Sequence, residues 1–253
     1  MNPIGLLAFI ERHTLILFRV PIQTVFTPLI TAVLYIFVFG KIVGERIGDI
    51  MGVPYIDFVL PGLVMMNVVM SSFTDTSSGT YFFRFTRSIE ELLTAPFSYG
   101  EIIIGIVTRG VVRGLLVGTG VYVLALFFTS ASIAHLGFFF LYALAVSIIF
   151  SLVGVLVGIF SDHFEHLTIL NTFLIVPLTF LGGVFNSITM LPESVQPWVR
   201  LNPFFYFVDS FRFAMIGVRE ANTTTGDTIM GTLIVLLAFT VWYLFKKGYK
   251  IKI

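Results

Sequence analysis

Few residues in this 253-residue chain could do chemistry, because charge is scarce: 15 Lys and Arg, 14 Asp and Glu, 4 His and no Cys. Four groupings stand out. Ser88-Ile89-Glu90-Glu91-Leu92-Leu93-Thr94-Ala95-Pro96 sets two carboxylates beside an apolar stripe, since Ile89, Leu92 and Leu93 share one helix face. Pro96 disfavours helix at Ala95 and ends it there. A short amphipathic helix of this kind docks into a groove on a soluble partner or rests on lipid. Two adjacent acids suit an anionic surface poorly.

Arg109 and Arg113 stand one helical turn apart in an apolar stretch. A central arginine costs about 2.5–3.5 kcal/mol on insertion scales. Either both snorkel to headgroups, or both line a substrate entry and face Asp75 or an anionic group. The third grouping, Asp162-His163-Phe164-Glu165-His166, holds histidines at i, i+3 and fits neither H-E-x-x-H nor H-x-x-E-H. It reads as a solvated turn, and no metal site is expected. The fourth is Leu201-Asn202-Pro203-Phe204-Phe205-Tyr206-Phe207-Val208-Asp209 followed by Phe211-Arg212. Asp209 and Arg212 are spaced to pair along a helix. The segment is an outer gate or an aromatic belt.

Other chemistry is missing. No G-x-x-x-x-G-K-[ST] loop exists, and Lys246-Lys247-Gly248 lacks the glycine-rich approach and the following hydroxyl. No nucleophile elbow is found. The chain is therefore not expected to be an enzyme or to hydrolyse ATP. A net charge of +1 offers no field for nucleic acid.

The elements that must position these groups follow from composition. Apolar residues make up 57% and charged residues 11%, under half the roughly 25% of a soluble domain. Lipid is the expected solvent. Six spans of about 20 residues are predicted near 21–40, 56–75, 105–129, 136–160, 167–186 and 227–245. Pro61 and Pro177 are expected to interrupt spans two and five. The polar run Ser71–Ser78 reads as the end of span two, which puts Asp75 at a span end. Residues 1–20, with Leu6, Ile10 and Leu17 opposite Arg12 and Arg19, suit an interfacial helix. No cleavable signal peptide is evident. Residues 187–226 read as two short re-entrant helices. Gly110, Gly114 and Gly118, with Gly154 and Gly158, predict close helix packing. Arg12, Arg19, Arg84, Arg87 and the four tail lysines lie on one side, with Arg109 and Arg113 added if these lie at its interface. Half as many cations (Lys41, Arg46, Arg200, Arg212 and Arg219) lie on the other. Both termini are therefore predicted cytoplasmic. The fold class is an all-α membrane protein, one domain over 1–253.

At the level of motifs the chain resembles bacterial ABC-2 type permeases. The resemblance rests on Phe58-Val59-Leu60-Pro61-Gly62-Leu63, Ile89-Glu90-Glu91-Leu92-Leu93-Thr94-Ala95-Pro96, Leu181-Gly182-Gly183-Val184-Phe185, and Leu201-Asn202-Pro203 with Arg212. It covers nearly the whole chain, in matching order, and looks more like the drug-exporter and nodulation-factor branch. It implies a bacterial inner-membrane permease subunit with no cofactor of its own. A separate ATP-binding-cassette subunit would bind ATP and Mg, and two copies of each would assemble. It further implies a coupling helix at about 84–97 and a hydrophobic or amphipathic cargo. A lipid-linked polysaccharide or glycolipid is the alternative cargo. The competing class is an ion-coupled carrier acting alone. That class needs a mid-depth acid and an inverted repeat, neither of which the sequence pattern displays.

Overall fold

The computed structural model describes residues 3–129 and 132–250. Six helices are long and apolar enough to cross a membrane: α2 (Ile22–Gly40), α4 (Tyr55–Phe85), α6 (Tyr99–Ala125), α7 (Leu136–Phe160), α8 (Phe164–Leu181) and α11 (Thr223–Lys247). Shorter helices complete the chain: α1 (Pro3–Leu17), α3 (Gly44–Ile47), α5 (Ser88–Thr94), α9 (Gln196–Leu201) and α10 (Pro203–Ile216). The polar stretch after α2, expected to be loop, is helical through Ile47 and then forms a small hairpin. Its strands β1 (Asp49–Ile50) and β2 (Val53–Pro54) pair antiparallel in the register Asp49–Pro54 and Ile50–Val53.

α4 is the axis of the molecule. In its most apolar stretch 78% of residues are buried, against 17% in each of α2, α8 and α11. It packs on α6 and α7 over most of its length, with α10 closing its other side. Close approach is set by residue size. A side chain on Gly154 of α7 would run into Thr76 and come within 2.7 Å of the Phe73 carbonyl. One on Gly114 of α6 would collide with Ser72 and Ser147. Glycine faces thus meet the hydroxyl face of α4, and backbones replace side chains at the contact.

Two boundaries differ most from the sequence expectation. α4 continues ten residues past Asp75, so the run Ser71–Ser78 lies inside the helix rather than at its end. Two of the hydroxyls are satisfied within the helix: Thr76 donates to the Ser72 carbonyl at 2.9 Å and Ser77 to the Thr74 carbonyl at 3.3 Å. α6 begins at Tyr99, six residues early, because Ser98 and Glu101 form a capping box. Ser98 N–H donates to Glu101 at 2.8 Å, and Glu101 N–H returns a bond to Ser98 Oγ at 3.3 Å.

Prolines are absorbed by widening the turn before them. In α2 the Thr27 N–H bonds to the Ile22 carbonyl, and in α8 the Val176 N–H bonds to Asn171. Each five-residue step precedes a proline, Pro28 or Pro177, whose ring would otherwise clash with a carbonyl one turn back. α4 runs on through Pro61.

Candidate functional site

Successive spans alternate in direction, so the connections gather at two ends. One end collects α1, α5, the 161–163 turn and the tail. The other collects the hairpin, α9 and α10.

At the first end, Asp75 of α4 meets both arginines of α6. Arg109 Nη2 donates to Asp75 Oδ1 at 3.1 Å. Its Nε lies 3.0 Å from Oδ2, close in charge but out of hydrogen-bond alignment. Arg113 Nη1 lies 3.4 Å from the same Oδ1, and its Nε donates to the Thr24 carbonyl of α2 at 3.2 Å. The Asp75 side chain is 2% exposed, Arg113 12% and Arg109 22%. The arginines therefore turn inward to a carboxylate rather than toward headgroups. Asp75 is not a span-end residue. It is enclosed in the packed bundle, ten residues short of the end of α4. A cavity of about 440 Å³ opens over this cluster, lined also by His13, Gln23, Ser78, Phe82, Phe83 and Phe164. His13 Nδ1 donates to the Phe9 carbonyl at 2.8 Å. Burial and, less strongly, Arg109 and Arg12 hold its pKa below the ordinary histidine value, so it is neutral at pH 7.

The α5 helix stands where the sequence places it. Ile89 is buried, and Leu92 and Leu93 pack half-buried with it against Phe83, Tyr99 and the core residues Ile102 and Phe245. The apolar stripe therefore anchors α5 to its own protein. Glu90, Glu91 and Pro96 face outward. Arg87, in the left-handed conformation at φ 58°, turns the chain out of α4 into α5. Arg84, which the sequence reading did not single out, ties this end together. It donates to the carbonyls of Gly158 and Ser161 at 2.9 Å and of Lys250 at 2.8 Å. Lys250 in turn pairs with Asp162 at 2.8 Å, and the lysine's hydrogen bond holds that carboxyl below its usual pKa. His163 and His166 lie ring to ring at 5.4 Å, beside no third ligand: among the described residues no His, Asp and Glu cluster suited to a metal is found.

At the second end, Arg212 of α10 has no exposed surface. Its partner is Glu220 at 2.8 Å, not Asp209 as helical spacing suggests. It also reaches the Gly183 carbonyl, approaches the Phe58 carbonyl at 3.4 Å, and lies 3.7 Å above the Phe58 ring. Phe58 O is one residue beyond the carbonyl that Pro61 leaves without its usual donor. Burial pulls the Arg212 pKa down to about 10, which still leaves it charged at pH 7. Asp209 accepts the Glu220 N–H at 2.6 Å, and burial pushes its carboxyl up. Glu220 receives Ser187 and the Ile188 N–H, a partner no local spacing rule would find. Asn202 caps α10 by accepting the Phe204 N–H at 3.0 Å and ties it to α8 by donating to Leu178 O at 2.7 Å. Pro203 opens the helix. Phe204 and Phe205 are buried in the protein, so this is not a lipid-facing aromatic belt.

Comparison with known proteins gives a single answer. Residues 5–216 match the family model for the ABC-2 type transporter. The chain is 38% identical over 230 residues to the inner membrane transport permease YadH of Escherichia coli strain K12, covering 91% of this chain and 90% of that one. It is 27% identical over 216 residues to nodulation protein J of Rhizobium meliloti strain 1021, covering 82% of this chain and 79% of that one. Nodulation protein J of Rhizobium leguminosarum bv. viciae is 25% identical over 225 residues.

Proposed function

Because the chain belongs to the ABC-2 type transporter family, we propose that it is the membrane-spanning permease of an ATP-driven exporter. In this reading it lies in the bacterial inner membrane with both termini cytoplasmic. Two copies assemble with two ATP-binding-cassette subunits, which hold the ATP and Mg. The cargo is hydrophobic or amphipathic. An E. coli relative named as an inner membrane transport permease supports the location, and the absence of a phosphate loop in this sequence supports a division of labour.

The observation that carries the mechanism is the build of α5. Its apolar residues Ile89, Leu92 and Leu93 are committed to the bundle, while Glu90 and Glu91 face out. A helix so anchored moves with α4 and α6 and offers the ATPase an acidic handle. Partner closure then pulls on 84–97 and shifts the bundle between inward- and outward-facing states. The energy comes from the partner's preference for one state. Arg84 clamps the same end through α7 and the tail, so the pull spreads beyond α4. At the far end, Asn202, Pro203, Phe204, Phe205, Asp209 and Arg212 form the packed plug that would have to yield on opening.

Reversing both charges (Glu90→Lys with Glu91→Lys) is expected to leave insertion intact and to lower substrate-stimulated ATPase of the co-purified complex at least about tenfold. Such a loss is of the order of two solvent-exposed ion pairs. Unchanged stimulation in that variant would remove α5 from the coupling path.

The ion-coupled carrier gains one point from the buried position of Asp75 within α4. But that carboxylate is already engaged by two guanidinium groups. Transport by the purified permease with no ATPase present would favour the carrier.

A further inference from the structure

The cavity over Asp75 is not electrically balanced. Two guanidinium groups share one carboxylate, His13 is neutral, and Asp75 is the one acid among the described residues lining the space. One positive charge is therefore uncompensated in a partly buried site, where it attracts an anion far more strongly than on a surface. The rest of the wall is mixed: Ile16, Val20, Phe82, Phe83 and Phe164 supply an apolar side, beside neutral polar residues such as Gln23, Ser78 and Thr86. At about 440 Å³ the space is large enough for an acidic headgroup and the first part of a tail.

We propose that this cavity binds amphipathic anions carrying a single negative charge, such as a carboxylate or phosphate diester. The acidic group reaches Arg109, the more exposed of the two arginines, and the apolar part lies along Phe82, Phe83 and Phe164. Arg113, held by Thr24 O, positions Asp75 and keeps the fork of Arg109 turned into the space. Asp75 sets the net charge at one, and so selects against dianions and against cations alike. The site stands on its own geometry. Only the further step, that the bound anion is cargo, rests on the export-permease reading.

The test uses the full-length permease in phosphatidylcholine nanodiscs, titrated with a dansyl-labelled fatty acid and with its methyl ester. Wild type is expected to hold the acid about tenfold more tightly than the ester, the scale of one charged hydrogen bond. Arg109→Gln brings the site to zero net charge and should abolish that preference. Asp75→Asn raises it to two and should strengthen the preference. A merely structural pair would weaken binding in both variants. The double variant, Asp75→Asn with Arg109→Gln, restores a net charge of one and should return toward wild type. Equal binding of acid and ester by wild type, or a loss of preference in both single variants, would overturn the proposal.

Adding phosphatidylglycerol separates the two sources of such an anion. Displacement of the probe identifies a resident lipid headgroup, and retention identifies cargo. Loss of selectivity in a permease that still co-purifies with an active ATPase sinks the anion site alone. Selectivity in a permease that recruits no ATPase sinks the export reading alone.

Discussion

Arg212 binds three separate pieces of chain, at Phe58, Gly183 and Glu220, and its energetic role follows from its enclosure. Removing one member of a buried pair leaves the other charge uncompensated, a loss of about 3–5 kcal/mol. Arg212→Met should therefore lower the thermal midpoint of the detergent-solubilised protein sharply, by leaving the buried Glu220 without its counter-charge. Asp209 is the contrasting case. Burial disfavours its charged form, and an asparagine can still accept the Glu220 N–H. Asp209→Asn should cost little. The sign of its pH effect follows from linkage: a carboxyl whose folded pKa is raised binds its proton more tightly in the native state. Its contribution then declines as pH rises from about 4 toward neutrality. Wild type should lose stability relative to Asp209→Asn over that window. Unfolding midpoints of the three proteins at both ends of it decide the matter. Equal losses for Arg212→Met and Asp209→Asn would show that no clamp exists.

At the scale of elements, the middle of the bundle was legible and its ends were not. The fourth span was readable to the residue, because Leu136–Phe160 carries no charged residue and only two serines. α4 was misread because hydroxyls count as polar in a hydropathy pattern, yet Thr76 and Ser77 bond to their own backbone and lie against helical neighbours. That misreading also moved Asp75 from the bundle to its edge. The start of α6 was in fact written in the sequence as Ser98 and Glu101, three residues apart. The Arg212–Glu220 pair was not legible. A turn beyond α10 brings them together, and periodicity cannot see across a turn. The glycine faces were read correctly, and they carry a prediction. Gly154→Leu would place a branched chain where Thr76 and the Phe73 backbone already stand, with no flexible group to yield. Insertion should survive while the monodisperse folded species is lost on size-exclusion chromatography. Gly231→Leu on α11, where a side chain meets open space, should behave as wild type. Recovery of normal Gly154→Leu protein would mean that α4 and α7 are less closely seated than described.

The whole molecule has one face that lipid suits poorly. α2 and α8, the two spans with widened turns before a proline, expose most of their surface and flank a groove of about 300 Å³ along α4. Thr27, Thr31, Asn67 and Thr74 line it, together with Arg113. A hydrocarbon-facing groove of this kind leaves polar groups without water. By contrast α11 presents Val235, Leu236 and Phe239, an ordinary lipid-facing surface. The paired-permease reading therefore assigns the α2–α8 face, not the α11 face, to the second copy, with the groove enclosed between them. The absence of cysteine makes the test clean, since a single introduced thiol is the only one present. Thr31→Cys, which is exposed on the α2 rim, should form a disulfide-linked dimer in membranes under mild oxidation. Cross-linking should change in yield when the partner ATPase is trapped with ATP, because the groove must open and close as cargo passes. Leu236→Cys should remain monomeric in both conditions. Efficient cross-linking at Leu236 with none at Thr31 would put the partner on the opposite side of the bundle, and would leave the groove and its arginine facing lipid.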